Sequence, residues 1–230
     1  MEFKPFPKIA RWSREVLVTE KLDGTNACVV IEDTTQLEYK QAQEAEAAWR
    51  GMTGETIGSA PLASIGTLNL YAQSRNRMLS LEDDNFGFAA WVRANAEVLA
   101  GFGAGRHFGE WWGSGIARRY NQTEKRFSLF NTIRWCAHDA EPKVIPTEDP
   151  AAEPKYQRRA PACVSLVPLI WQGPMDDLNV DLHIEQLRLG GSFAAPGFMR
   201  PEGIIVFHVA GNVGFKKTLE RDEVPKGKTR

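Results

Sequence analysis

The sequence predicts an α+β fold built mainly from antiparallel sheets. Most apolar segments of this 230-residue chain are short and either alternate with polar residues or are rich in β-branched and aromatic ones, as is typical of strands. Segments with helical spacing are few and do not alternate regularly with strands, which disfavours a doubly wound parallel sheet. The predicted strands are Val16–Glu20, Thr25–Ile31, Thr67–Ser74, Arg106–Trp112, Phe127–Trp135, Cys163–Trp171, Gly203–Val209 and Asn212–Lys217.

Turn and helix signals separate these strands. The tetrapeptide Lys21-Leu22-Asp23-Gly24 lies between the first two, and a turn at Ala210-Gly211 joins the last two. The stretch from Asp139 to Pro161 is rich in proline, alanine and charge, which predicts a surface loop. Helices are predicted at Asn85–Leu99, Asn179–Leu189 and, as a short exposed segment, Gln41–Arg50.

Composition indicates a globular protein of the cytoplasm. Hydrophobic residues make up 43% of the chain and charged residues 25%, with neither a membrane-spanning apolar run nor the apolar stretch of a signal peptide. We therefore expect no membrane partner. The three cysteines are far apart, which argues against disulfides or a zinc site.

The net charge of -1 implies that any nucleic-acid footprint is short and local. Basic clusters are present, and each is either a solvated face or a phosphate contact. They are Arg118–Arg119, Lys125–Arg126, Arg158–Arg159 and the tail residues Lys226, Lys228 and Arg230.

Lys21 is a candidate nucleophile. It ends an apolar strand, with Glu20 before it and Asp23 and Gly24 after it. A free lysine has a pKa of about 10.4 and must lose its proton, through burial or nearby cations, before it can attack phosphorus. A rigid turn can aim the amine, and glycine lets backbone approach a ligand. Taken alone, the tetrapeptide describes an ordinary exposed hairpin turn equally well.

Two further acids lie in or beside predicted strands. Glu110 is flanked by Gly109 and Trp111 and either accepts a hydrogen bond from a ribose hydroxyl or pairs with an arginine of the Arg118–Arg119 cluster. Glu202 precedes a fully apolar strand, a position that suits a metal or phosphate site. The alternative for Glu202 is an ordinary turn acid.

Cationic and aromatic side chains complete the candidates. Lys216 and Lys217 end the last strand and either neutralise phosphates or form a basic strand end. Because neighbouring strand residues point to opposite faces, at most one of the two lysines enters a given pocket. Arg75 follows an alternating strand and is suited to a ribose or phosphate. One aromatic of Phe127 and Phe130 is suited to base stacking, although strand aromatics usually belong to the core.

In their order, these motifs resemble those of the covalent nucleotidyltransferase superfamily, which includes ATP- and NAD-dependent polynucleotide ligases and mRNA capping enzymes. The order from Glu20 to Thr218 is Lys-x-Asp-Gly, Ser-Arg, Phe-Gly-Glu, a Phe-containing strand, Glu-Gly-Ile-Ile-Val and Phe-Lys-Lys. The chain is most similar to phage and kinetoplastid RNA ligases that seal nicks in duplex RNA. Their first motif typically is Glu-Lys-x-x-Gly-x-Asn, matched by Glu20 to Asn26, and the opening Phe6-Pro7-Lys8-Ile9 is also similar.

The resemblance implies an ATP-grasp-like nucleotidyltransferase fold with antiparallel sheets and flanking helices. It also implies one adenylyltransferase domain spanning residues 1–230, without a separate C-terminal nucleic-acid-binding domain. Lys21 resembles the adenylated lysine, and Glu20 the residue that contacts adenine. Arg75 and Glu110 correspond to ribose-binding residues. Phe130 is preferred to Phe127 as the stacked aromatic because it precedes Asn131, as the family phenylalanine precedes aspartate.

The remaining roles implied by the resemblance concern phosphate, metal and nucleic-acid ends. Asp23 and Glu202 match acids that assist catalysis and bind Mg²⁺ or Mn²⁺. Asn26 matches an asparagine used in end joining and counts among the nucleotide-binding residues. Lys216 matches the first lysine of a Lys-x-Lys motif whose second lysine is replaced by Thr218, which leaves Lys217 as the other candidate.

The implied function is that of an ATP-dependent RNA ligase. Lys21 takes AMP from ATP, AMP passes to a 5′-phosphate, and a 3′-hydroxyl displaces AMP to seal the strand. The partners would be nucleic-acid ends, as in RNA repair, and we expect a monomer. The alternatives are a minimal ATP-dependent DNA ligase and a catalytically silent nucleic-acid-binding domain of the same fold.

Overall fold

The computed structural model describes residues 9–35, 60–145, 147, 151–220 and 222. The predicted helix Gln41–Arg50, the opening Phe6-Pro7-Lys8 and the basic tail from Lys226 lie outside the described residues. The chain divides into two compact units. The first comprises Met1–Asp23, Arg118–Thr123 and Val167–Arg230, and the second comprises Gly24–Ala117 and Glu124–Leu166. The single-domain expectation stays a prediction.

Strands dominate the described residues, and helices are few. The helices are α1 Phe88–Ala94, α2 Ala96–Leu99 and α3 Val180–Gly190, with 3₁₀ turns at Ala100–Phe102 and Met175–Asp177. The strands are β1 Glu15–Lys21, β2 Thr25–Asp33, β3 Ala63–Ile65, β4 Leu68–Ser74, β5 Met78–Leu79, β6 Gly105–Gly113, β7 Lys125–Leu129, β8 Trp135–Cys136, β9 Val144–Ile145, β10 Lys155–Tyr156, β11 Arg158–Arg159, β12 Ser165–Leu166, β13 Leu169–Pro174, β14 Gly203–His208 and β15 Val213–Thr218.

The first unit is a four-stranded antiparallel sheet covered on one face by a helix. Its strand order is β13-β1-β14-β15. Alternate residues of the two central strands, including Val18 and Val206, pack with Ile184 and Leu187 of α3. The helix begins where the Asn179 side chain accepts a hydrogen bond from the backbone N–H of Leu182, at 3.0 Å. This apolar face fixes which residues of β1 and β14 point inward.

The second unit is a larger sheet with α1 and α2 on its core side. The strand order is β12-β7-β6-β2-β4-β3, and β5 pairs with β4. Phe88 of α1 lies against Trp111 of β6 and Phe127 of β7, with ring centroids 5.4 and 5.2 Å away. Burial of these large aromatic rings supplies much of the apolar surface of this core.

The predicted α+β class is confirmed, since the pairings are antiparallel except for β7 with β12 and β8 with β11 among the described strands. Two predicted strands are each broken in two. Phe127–Trp135 is interrupted after Leu129, where the side chain of Asn131 accepts the N–H of Arg134 in a local turn. Cys163–Trp171 is interrupted at Pro168, which has no N–H for the sheet.

The described residues of the predicted surface loop from Asp139 to Pro161 are largely exposed, but they include the short strands β9, β10 and β11. These two-residue pairings were not expected from a stretch so rich in proline and charge. No helix in the described ranges has both the length and the apolar character needed to cross a membrane.

His107 makes the second unit sensitive to acid. Its ring is buried on β6, stacks on Phe102 at 4.3 Å and lies 3.0 Å from the Gly103 carbonyl oxygen through Nε2. Burial, with smaller effects from Arg134 and Arg158, lowers its pKa from 6.5 to about 4, although the Gly103 contact opposes the shift. The folded state therefore favours the neutral imidazole. The contribution of His107 to stability is fully present above about pH 6.5 and is lost as the pH falls toward 4.

We expect the free energy of unfolding in urea to fall by about 2 kcal/mol between pH 7.5 and pH 5 because of this one side chain. His107→Gln keeps a donor for the Gly103 carbonyl but does not titrate. The pH dependence of this variant should be smaller by that amount. Equal acid sensitivity in the two proteins would show that His107 is not the cause.

Candidate functional site

Lys21 and Glu202, predicted separately, are in direct contact in the first unit. Lys21 is the last residue of β1 and pairs with Gly203 at the start of β14. Its Nζ lies 2.6 Å from Oε2 of Glu202, whose side chain is only 4% exposed. Hydrogen bonds between two charged groups at this distance are strong, but desolvation of the charges offsets much of the gain in stability. Such a buried ion pair at a strand end favours a functional explanation.

The strand register decides which lysine of β15 shares the face of Lys21. Across the sheet, Lys21 is level with Gly203 and Thr218, whereas Glu20 is level with Ile204 and Lys217. Residues directly opposite each other in a sheet point to the same side, and neighbours along a strand alternate. Lys216 and Thr218 therefore lie on the Lys21 face.

Lys217 lies on the opposite face of the sheet from Lys21. Its Nζ is 3.1 Å from Oδ2 of Asp222. Strand alternation predicted that at most one of Lys216 and Lys217 enters a given pocket. The register places Lys216, and not Lys217, on the face of Lys21. The predicted nucleotide contact of Lys217 has no support from its position.

Glu20 points into the interior of the first unit. The residue is 1% exposed, and its carboxylate accepts hydrogen bonds from the Ser192 hydroxyl at 2.6 Å and the Ala194 N–H at 2.9 Å. Burial raises its pKa, while these hydrogen bonds oppose the shift. The carboxylate thus ties the segment after α3 to β1. The predicted contact with adenine stays a prediction, and Ser192 is a partner that sequence reasoning missed.

Asp23 is held by two residues that the motif series does not include. Oδ2 of Asp23 accepts a hydrogen bond from Nε of Arg118 at 3.1 Å, and its backbone N–H donates to the hydroxyl of Tyr120 at 2.8 Å. From the sequence, Arg118 was a member of a basic cluster and a candidate partner of Glu110, and Tyr120 had no role. No local pattern signals either contact, because each partner is more than 90 residues from Asp23.

In the second unit, three predicted residues form one network. Asn26 on β2 is level with Glu110 on β6, and its amide nitrogen lies 3.3 Å from Oε2 of that carboxylate. Arg75, just after β4, donates to the amide oxygen of Asn26 through Nε at 2.8 Å and through a second guanidinium nitrogen. The other carboxylate oxygen of Glu110 accepts the N–H of Gly24 at 3.0 Å. The second unit therefore brings together three residues that the sequence predicted separately.

Gly24 is required by a close approach of the backbone. A Cβ atom at this position would overlap the backbone carbonyl oxygen of Trp111 on the neighbouring strand β6. The absence of a side chain also lets the Gly24 N–H reach Glu110. The glycine of the first motif is thus explained by packing against β6.

The two candidate stacking aromatics have different environments. Phe127 is fully buried and packs in the core, whereas Phe130 follows the end of β7 and is 41% exposed. Only an exposed ring can stack on a ligand, so the preference for Phe130 over Phe127 is physically consistent. Alternation along β7 puts Phe127 and Leu129 in the core, and Phe130 follows on the other side.

The donor chemistry of the first unit fits Mg²⁺ at Glu202 better than at Asp23. Carboxylate oxygen is the preferred protein ligand of Mg²⁺, which usually takes one or two carboxylates and completes its shell with phosphate and water. In the described part of the chain, no three His, Cys, Asp or Glu side chains gather as a metal site. Each carboxylate has a cationic partner, Arg118 beside Asp23 and Lys21 beside Glu202. A lysine can lose its charge whereas an arginine cannot, so a second cation is opposed more at Asp23 than at Glu202.

The RNA ligase family model matches residues 14–218 of the chain, a range that contains every predicted site residue. The chain belongs to the RNA ligase family. Among curated proteins no match is found. Among solved structures, the chain is similar to a mutant RNA ligase of Naegleria gruberi determined with ATP and Mn, at 13% sequence identity and a TM-score of 0.48. The match covers 90% of this chain and 49% of that one, so this chain spans about half the length of that ligase.

The position of Glu20 predicts a structural effect of its removal. Glu20→Ala leaves the hydroxyl of Ser192 and the N–H of Ala194 without their acceptor. A buried polar group that loses its partner costs about 1–3 kcal/mol. We expect the free energy of unfolding to fall by about 2 kcal/mol in urea denaturation. Glu15→Ala, at the exposed start of the same strand, is the control and should change it by less than about 0.5 kcal/mol. A free energy of unfolding equal to that of the wild type in Glu20→Ala would contradict the structural role.

Proposed function

We propose that the chain is the catalytic part of an ATP-dependent RNA ligase that forms lysyl-AMP at Lys21. The observation that carries the proposal is the 2.6 Å contact between Lys21 Nζ and the buried Glu202 carboxylate, in a chain of the RNA ligase family. The lysine and the acid come from motifs 181 residues apart, yet β1 and β14 bring them together. A lysine in a merely exposed hairpin turn would not be paired in this way.

The first step is attack on the α-phosphorus of ATP. In its ion pair Lys21 is an ammonium, which has no lone pair, so one proton must pass from Nζ to solvent before attack. The lone pair then forms the N–P bond while the bond from the α-phosphorus to the bridging oxygen breaks. Pyrophosphate leaves, and a second proton passes from Nζ to solvent. The product is AMP joined to Nζ through a phosphoramidate.

Two further transfers complete the reaction. An oxygen of a 5′-phosphate attacks the phosphorus of lysyl-AMP, the N–P bond breaks, and the lysine nitrogen takes a proton from solvent as it leaves as the amine. A 3′-hydroxyl then attacks the activated 5′-phosphate, loses its proton, and displaces AMP as the phosphodiester forms. Lys21 thus acts once as nucleophile and once as leaving group.

Charge on the phosphates is balanced by cations of the first unit. Lys216 lies on the Lys21 face of the sheet and is exposed, so its ammonium is suited to the α-phosphate or the departing pyrophosphate. Glu202 would hold Mg²⁺ or Mn²⁺, which when bound neutralises charge that develops on the phosphate oxygens. Asp23, bonded to Arg118, has the role of fixing the turn after Lys21.

The network of the second unit supplies the other roles in the proposal. Glu110 and Arg75 are assigned to the ribose, Asn26 to the end-joining steps, and Phe130 to stacking on a base. In the network, Arg75 and Glu110 fix both ends of the Asn26 amide, so its orientation is set before a ligand binds. Such preorganisation reduces the cost of ordering a side chain during reaction.

The preference for RNA rests on the first motif, in which Glu20 and Asn26 follow the RNA-ligase pattern. Four duplex nicks, with RNA or DNA at the 3′-hydroxyl and 5′-phosphate sides, test it directly. Efficient sealing only with a ribonucleotide at the 3′-hydroxyl side supports an RNA ligase. Equal sealing of all-DNA nicks would support the minimal DNA ligase instead.

Replacement of the nucleophile should abolish covalent labelling. Incubation with ATP labelled at the α-phosphate should attach AMP to the wild-type chain and give the mass increase of one AMP. Lys21→Ala should lose the label by more than about 1,000-fold, because no other group forms the bond. Lys143→Ala, at an exposed lysine, is the matched control. Label retained on another residue of Lys21→Ala would overturn the assignment.

Replacement of the buried acid should slow the same step without removing the nucleophile. Glu202→Ala, and the isosteric Glu202→Gln, should each lower the rate of lysyl-AMP formation by at least about 100-fold at saturating ATP and Mg²⁺. The exposed Glu185 provides the control substitution Glu185→Gln. Wild-type rates in either Glu202 variant would refute the role of this acid.

A further inference from the structure

The segment Arg118–Thr123 of the first unit has an unusual backbone. Arg119, Tyr120 and Asn121 have φ values of 60, 50 and 53°, three consecutive left-handed residues, none of them glycine. Left-handed residues other than glycine normally occur singly, because the Cβ atom crowds the backbone. Strain of this kind persists where surrounding contacts over-determine it, and it is concentrated at functional sites.

Arg118 contacts three segments that carry the predicted catalytic residues. Its Nε donates to Asp23, two residues after Lys21, at 3.1 Å. A second guanidinium nitrogen donates to the carbonyl oxygen of Arg200, two residues before Glu202, at 3.1 Å. The third lies 4.0 Å from the carboxylate of Glu220, beyond the end of β15.

Arginine suits this position because its planar guanidinium presents donors in several fixed directions at once. A lysine has one compact charged group and cannot make the same set of contacts. The side chain of Arg118 is 27% exposed, so its hydrogen bonds are partly shielded from water. One side chain thus connects the turn after β1, the segment before β14 and the segment after β15.

Tyr120 also contacts the turn that contains Asp23. The residue is fully buried, its ring packs on Phe198 at a centroid distance of 4.7 Å, and its hydroxyl accepts the Asp23 N–H at 2.8 Å. Arg118 and Tyr120, two residues apart, thus both contact Asp23. The N–H of Gln122 donates to the Arg119 carbonyl oxygen at 2.9 Å and closes the segment.

We propose that Arg118 and Tyr120 are positioning residues for adenylyl transfer, which hold the segments bearing Lys21, Glu202 and Lys216 in their relative places. The inference rests on the proposed lysyl-AMP reaction. In this role the two side chains act through the backbone turn and through Asp23, and they do not touch the nucleotide. Misplacement of a reacting group by about 1 Å can lower a rate by about 100-fold.

The test is the rate of lysyl-AMP formation as a function of ATP concentration, measured by intact mass. Arg118→Ala should lower the maximal rate by about 100-fold and change the half-saturating ATP concentration by less than about 3-fold. Arg118→Lys keeps the positive charge but lacks the planar guanidinium with its several donors. Its maximal rate should therefore remain about 10-fold below that of the wild type. Tyr120→Phe keeps the ring and removes only the acceptor, and we expect a loss of about 10-fold.

Arg119→Ala is the matched control, because Arg119 is the adjacent, exposed arginine in the same strained backbone. Its maximal rate should stay within about 2-fold of wild type. Failure of the wild-type protein to form lysyl-AMP would refute the proposed function itself, so the two failures are distinguishable.

Three outcomes would overturn the positioning role. The first is a wild-type maximal rate in Arg118→Ala, and the second is an equal loss in Arg119→Ala. The third is a raised half-saturating ATP concentration with an unchanged maximal rate, which would make Arg118 a nucleotide ligand. If Arg118→Ala does not fold at the assay temperature, Tyr120→Phe decides by the same measurement, and a wild-type rate in that variant overturns the role.

Discussion

The ion pair between Lys21 and Glu202 depends on the register of two neighbouring strands. Glu20 and Lys21 are adjacent and point to opposite faces of β1, so a slip of one residue would bury the lysine and expose the glutamate. The register is fixed by Val16 and Val18 on the face that packs against α3. The apolar pattern of β1 therefore determines which of its two terminal charges faces the site.

The second unit applies the same constraint to a neutral side chain. Asn26 reaches Glu110 only because the two residues are directly opposite on β2 and β6. Gly24 reinforces that register, since any side chain at this position would collide with the backbone of β6. In each unit, then, the contact at a strand end depends on the register of the two strands that carry it.

Much of this could be predicted from sequence, because alternating strands and the order of motifs are local signals. The breaks at Asn131 and Pro168 were missed, since a turn side chain and one proline overrode continuous apolar runs. Which of Lys216 and Lys217 shares the sheet face of Lys21 could be read only from the pairing of β15 with β14. The partners Ser192, Arg118 and Tyr120 could not be predicted, because each is distant in sequence from the residue it contacts and lies in no recognisable motif.

The three acids around Lys21 are each stabilised in a different way. A buried carboxylate is costly unless it is paired or accepts hydrogen bonds. Glu20 accepts from a hydroxyl and a backbone N–H, Asp23 from the permanently charged Arg118, and Glu202 from the nucleophile itself. Of these partners, only Lys21, which contacts Glu202, changes its charge during the proposed reaction. When Lys21 gives up its proton, the buried carboxylate of Glu202 loses the ammonium that balanced it, so activation of the nucleophile and a cation at Glu202 favour each other. Under the proposed function, this coupling explains why the acid beside the lysine is buried instead of being left to solvent.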